Sequence, residues 1–213
     1  MNPGSRLITL EGGEGAGKSS AIEALEDWFV RQHLPVWVSR EPGGSELGEQ
    51  LRQLILQPRQ DKVEPMAELL MVFAARAQHV QQEIRPRLRA GSFVLLDRFT
   101  DASFAYQGGG RGIDMNWIAT LETWVQQDLR PGLVLWLDVP VDVGLARAAE
   151  RGTQADRLES ESLAFMHRVH GAYAERCRLH PASHRRIDAA QPQAAVLADL
   201  LGELARYVAR VLP

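Results

Sequence analysis

Hydrophobic residues in this chain fall into short unbroken runs separated by longer stretches in which they recur at helical spacing. Arg6-Leu7-Ile8-Thr9-Leu10, Leu34 to Ser39, Phe93-Val94-Leu95-Leu96 and Leu133 to Leu137 read as strands, with a shorter one at Arg185-Arg186-Ile187. Between them, Ser19–Gln32 places Ile22, Leu25 and Phe29 on one helical face, and about Glu46–Gln57 does so with Leu47, Leu51, Leu54 and Ile55. A long helix is predicted from near Pro65 toward Ala90 with a bend at Pro86, because proline cannot donate to the preceding turn. Further helices are predicted at about Asn116–Leu129, Val141–Glu150, Ser160–His180 and Pro192–Val211. Strand alternating with helix predicts an α/β fold, a parallel sheet covered on both faces. No linker or repeat divides the chain, so one domain spanning residues 1–213 is expected.

The first strand runs into Gly12-Gly13-Glu14-Gly15-Ala16-Gly17-Lys18-Ser19, followed by Ser20 and a helix. This is a complete phosphate-binding loop. Its glycines let consecutive N–H groups turn toward phosphates, Lys18 reaches the terminal ones, and the Ser19 hydroxyl suits Mg²⁺. The chain has two lysines, Lys18 and Lys62, in a background of arginine. A flexible point charge is therefore retained where a planar fork would not serve. A nucleoside triphosphate and Mg²⁺ are the expected ligands.

Ligands of such sheets gather beyond the carboxyl ends of the strands. Asp97 ends a strand there and is the expected second group toward the metal. Arg40 and Arg98 follow two different strands, and together they predict a second bound anion beside the triphosphate. Arg147, Arg151 and Arg157 bracket a short polar stretch, Gly152 to Asp156, between two helices. A lid at about residues 151–160 is expected, closing over the phosphates and excluding water. Phe73 and Arg76 share one helical face and suit a flat base, although a phenylalanine so placed also suits the core. Ser103, Tyr106 and Gln107 precede Gly108-Gly109-Gly110, which reads as a mobile loop.

Composition narrows the field. A net charge of −3 gives no general attraction for nucleic acid, and no apolar stretch is long enough to span a membrane. The one cysteine, Cys177, excludes an internal disulfide framework. A cytoplasmic enzyme is expected. Five tryptophans stand apart from basic residues and read as core or subunit contacts.

The chain resembles thymidylate kinase, a family of phosphate-loop nucleoside monophosphate kinases. The motifs that carry the resemblance are Leu10-Glu11-Gly12 to Ser19, Arg40-Glu41-Pro42-Gly43-Gly44, Asp97-Arg98-Phe99, Ala105-Tyr106-Gln107-Gly108 and Arg151-Gly152 to Asp156-Arg157, in that order. The resemblance implies phosphoryl transfer from ATP to dTMP, giving dTDP for dTTP synthesis. It also implies a five-stranded parallel sheet flanked by helices, a short lid, Mg²⁺ and a homodimer. Carried over by position, Arg40, Glu41 and Arg98 would address the monophosphate side. Phe73, Arg76, Ser103 and Gln107 would address the base and Tyr106 the sugar. Glu14 would sit near the 3′-hydroxyl and the metal, with Ser19 and Asp97. Lys18, Arg98, Arg151, Arg157 and Glu14 would act on the transferred group. The family's stacking phenylalanine lies four residues before the arginine, a place held here by Val72. A kinase for another nucleoside monophosphate, or an ATPase switch, are the competing readings.

Overall fold

The computed structural model describes residues 4–150 and 156–212. Five parallel strands form one sheet: β1 (Leu7–Gly12), β2 (Val36–Arg40), β3 (Phe93–Asp97), β4 (Leu133–Asp138) and β5 (His184–Asp188), in the order β2-β3-β1-β4-β5. The sheet is three layers deep with its helices, as the α/β pattern predicts. Period-two alternation divides the core. Ile8 and Leu10 point to the face covered by α1 (Lys18–Arg31) and α9 (Gln193–Val211), where Leu25, Phe29, Leu200 and Leu204 are buried. Leu7, Val94 and Leu96 point to the opposite face, against Val80, Ile84 and Phe99. That face is covered by α3 (Pro65–His79), α4 (Arg85–Arg89), α5 (Thr100–Ser103) and α8 (Leu163–Leu179), with α2 (Glu46–Leu56) and α6 (Met115–Gln126) outside α3. Helix α7 (Val141–Glu150) follows β4.

Two segments depart from expectation. The long helix is interrupted before it reaches Pro86. It widens into a π-helical turn at Val80–Ile84, and Pro86 opens α4. The proline ring would collide with the carbonyl four residues back, and the wider turn moves that carbonyl away. The glycine run is not a mobile loop either. Phe104–Gly110 is a buried π-helical segment continuing α5. A β-carbon on Gly108 would meet the Met115 sulfur, one on Gly109 the Ala172 methyl, and one on Gly110 the Phe165 ring. These glycines permit close packing against α6 and α8; they do not supply flexibility.

Candidate active site

A cleft opens at the carboxyl ends of β1, β2 and β3, where the direction of chain winding reverses. One end is the phosphate loop, with Glu14 to Ser19 on its wall. Gly15 and Gly17 take positive φ values of 67° and 89°, which turn the loop and start α1 without strain. Gly15 packs directly on Gly144, so α7 supports the loop from behind. The Lys18 ammonium donates to the carbonyls of Gly13 (3.0 Å) and Gly12 (3.4 Å). Burial, then the charge of Arg98, push its pKa down to about 8, so the lysine is under-neutralised and suited to an added polyanion.

Asp97 and Ser19 both line the cleft, and Asp97 Oδ1 is buried with no hydrogen-bond partner. A bare buried carboxylate oxygen in a cleft that a hydroxyl also lines fits Mg²⁺, which uses one or two protein oxygens and fills its other positions with phosphate and water. Among the described residues no three acidic, histidine or cysteine side chains gather as a metal cage.

Arg98 follows β3 in the left-handed region, φ 66°. Such a conformation costs a non-glycine residue about 1–3 kcal/mol and persists when neighbours hold it. Here the guanidinium donates to Gly12 O (2.7 Å) and to the Tyr173 hydroxyl (3.0 Å), and it lies 5.0 Å from the Tyr106 ring centroid. The Tyr173 hydroxyl in turn donates to Glu11 Oε2 (3.0 Å), and Glu11 Oε1 accepts the Phe99 N–H (2.7 Å). Burial, reinforced by Asp101, pushes the Glu11 carboxyl up to about 8.

The other end of the cleft is built around Arg76, which is 1% exposed. Nε donates to Glu41 Oε2 (2.6 Å), and Nη2 donates to Phe99 O (3.1 Å) and Ser103 Oγ (3.0 Å). Nη1 is buried and unpartnered, on a residue that lines the cleft. A charged donor with two free hydrogens in a desolvated wall calls for a ligand acceptor. Glu41 is fixed from its other oxygen by His79 Nδ1 (3.0 Å). Gln107 lines the same wall, and its Nε2 donates to Glu68 Oε1 (2.9 Å). Ser103 and Tyr106 line it as well.

Four expected residues stand elsewhere. Phe73 is 2% exposed, packed among Leu69, Phe104 and Ile118 with its ring 4.6 Å from the Arg76 guanidinium, and Val72 takes the cleft wall. Neighbouring helical residues point about 100° apart, so only one of the two can face the ligand. Arg40, at an exposed strand end, is turned onto Glu49 (3.0 Å) outside the cleft, while Arg52 from α2 lines it. Arg157 donates to Ile55 O (2.8 Å) and Glu68 Oε2 (2.6 Å), drawn to a buried carboxylate rather than to the phosphate loop. Arg151 and the segment to residue 155 lie outside the described residues. Of the expected lid, Asp156, Leu158 and Glu159 line the cleft. Arg147 binds the carbonyls of Ala189 (2.7 Å) and Ala190 (3.4 Å), after β5. Sequence reasoning missed Arg52, Tyr173, His79 and Glu68. None sits in a glycine motif or at a strand end, where the sequence marks a site.

The family model for thymidylate kinase matches residues 10–200. A thymidylate kinase of Alkalilimnicola ehrlichii is 50% identical over 207 residues, 97% of this chain and 95% of that one. One of Pseudomonas putida is 53% identical over 190 residues, covering 89% and 91%. The crystal structure of thymidylate kinase from Ehrlichia chaffeensis superposes with a TM-score of 0.75 at 27% identity, covering 93% of this chain and 97% of that one. With a phosphate loop and the Arg76 wall lining one cleft, these matches place the chain in the thymidylate kinase family.

Proposed function

We propose that the protein transfers the γ-phosphoryl group of ATP to dTMP, yielding ADP and dTDP. The observation that carries the reading is the free Nη1 of Arg76 in a wall it shares with Gln107, across from the phosphate loop. One end of the cleft holds a triphosphate; the other offers a pyrimidine a fixed donor.

The acceptor is a phosphate oxygen already anionic near neutral pH, so no strong base is required. The work is to position two polyanions and stabilise spread charge between them. Lys18 and the loop N–H groups, Gly12 to Ser20, hold the donor phosphates. Arg98, braced by Tyr173 and Gly12, holds the acceptor phosphate, with Arg52 beside it. Tyr106 lies against Arg98, where the sugar would pass. Val72 supplies the apolar surface under the base in place of Phe73. When bound, Mg²⁺ would neutralise phosphate charge, held by Ser19 and Asp97 with Glu14 nearby. Arg147 and the Asp188–Gln191 turn frame the adenine end. Arg151, with the rest of residues 151–160, serves as a lid within one kinase domain.

The enzyme acts as a cytoplasmic homodimer in this reading. Helices α2, α3 and α6 pack side by side and expose Leu47, Leu54, Leu70, Trp117 and Trp124, an apolar face suited to a second copy. Among the described residues no helix is long and apolar enough to cross a membrane. The function is tested by measuring ADP release with ATP and a panel of nucleoside monophosphates. Strong preference for dTMP is expected; preference for cytidylate or a purine nucleotide would overturn the reading.

A further inference from the structure

Glu68 is fully buried on α3 and accepts hydrogen bonds from Arg157, Arg111 and Gln107. Its Oε2 receives Arg157 Nη2 (2.6 Å) and Arg111 Nη2 (3.1 Å); its Oε1 receives Gln107 Nε2 (2.9 Å) and Arg111 Nε (3.2 Å). Burial pushes this carboxyl up, but hydrogen bonds from Arg111, Gln107 and Arg157 outweigh it and hold the pKa below the usual range. An ionised carboxylate only accepts, so the end of the Gln107 amide that faces it must be the NH₂. The carbonyl oxygen of Gln107 is then the end available to the cleft. An amide free to rotate would offer either group.

We infer that Glu68 is a specificity-determining residue that acts through Gln107, locking its amide so that the cleft presents an acceptor beside the Arg76 donor. This rests on the reading of the cleft as the dTMP site. A donor next to an acceptor matches the C4 carbonyl and N3–H of thymine or uracil. Cytosine presents an amino group and an unprotonated N3, and meets donor against donor and acceptor against acceptor. Arg76 is locked independently by Glu41, Phe99 O and Ser103, so Glu68 governs the second half of the pattern.

Glu68→Gln tests this. The one remaining oxygen goes to the charged donors Arg157 and Arg111, and the new NH₂ faces Gln107, which inverts to accept from it. Relative kcat/KM for dTMP, dUMP and dCMP is the readout. The dTMP-to-dCMP ratio should fall about tenfold or more, the scale of one mispaired buried polar group. The dTMP-to-dUMP ratio should not move, because both bases share the imide edge. Arg111→Gln removes another Glu68 partner without touching the amide contact and should leave both ratios within about twofold, the size of an indirect effect. Should Glu68→Gln fail to fold, Glu68→Asp keeps the charge for the arginines while withdrawing from Gln107, and should lower the same ratio. A folded Glu68 variant with the wild-type dTMP-to-dCMP ratio overturns the inference. Wild-type protein without preference for dTMP overturns the proposed function instead, so the two failures are distinct.

Discussion

Replacing Glu41 by Gln removes the charge behind Arg76 while keeping the side chain's shape. Glu41 is 3% exposed and Arg76 1%, with the two 2.6 Å apart, so neither is solvated by water when the other is lost. Breaking a buried pair from one side costs about 3–5 kcal/mol, because a buried charge is left uncompensated. Glutamine still offers one oxygen, which places Glu41→Gln near the low end, about 3 kcal/mol. At about 2–4 °C per kcal/mol for a chain of this size, the melting temperature should fall by roughly 6–12 °C. Thermal unfolding followed by circular dichroism reads this directly. Removing both charges in Glu41→Leu/Arg76→Met should restore much of the loss, since an apolar pair of similar volume avoids burying either charge. KM for dTMP should rise in both variants, because Nη1 is misaimed in one and absent in the other. A Glu41→Gln protein melting within about 1 °C of wild type would refute the reasoning, as would a double variant no more stable than Glu41→Leu alone.

Acid stability follows from the same group: burial raises the Glu41 carboxyl, but Arg76 and His79 outweigh it and hold it below its ordinary 4.5. A depressed carboxylate contributes stability above its unfolded pKa and loses it as pH falls through the folded one, so melting temperature should drop steeply below pH 4.5, and less steeply in Glu41→Gln. Glu11 runs the other way: raised from 4.5 to about 8, it lowers stability as pH climbs through that window, and Glu11→Gln should flatten this slope in pH-dependent melts. Gly109→Ala should cost about 1–3 kcal/mol in urea unfolding, from forced contact with Ala172 and the Arg168 carbonyl; an unchanged midpoint would contradict the packing reading. Val72→Ala should raise KM for dTMP more than Phe73→Leu does, and Phe73→Leu should cost up to about 1.5 kcal/mol of stability instead.

The strands were legible because a doubly covered parallel sheet needs continuous apolar runs, and Phe93–Leu96 or Leu133–Leu137 fits nothing else as well. The phosphate loop was legible because its chemistry is local, held within one turn of consecutive backbone. The rest of the site depends on tertiary choices. Whether Val72 or Phe73 faces the cleft turns on how α3 is rotated against α6, and both rotations suit the sequence. Gly108–Gly110 signals flexibility by composition, yet the neighbours that demand missing β-carbons sit on other helices, Met115 on α6 and Phe165 and Ala172 on α8. Arg40 and Arg157 were assigned by motif position, and a surface glutamate and a buried one draw them off. Buried positioning groups such as Glu68 and His79 look like ordinary helix residues until the fold surrounds them.

Phosphorus NMR of the protein mixed with ATP, Mg²⁺ and dTMP tests the central claim most directly, because it follows the transferred group itself. The account predicts ADP and dTDP appearing in equal amounts, with little inorganic phosphate. Inorganic phosphate and ADP formed in equal amounts, with dTMP left unchanged, would contradict it.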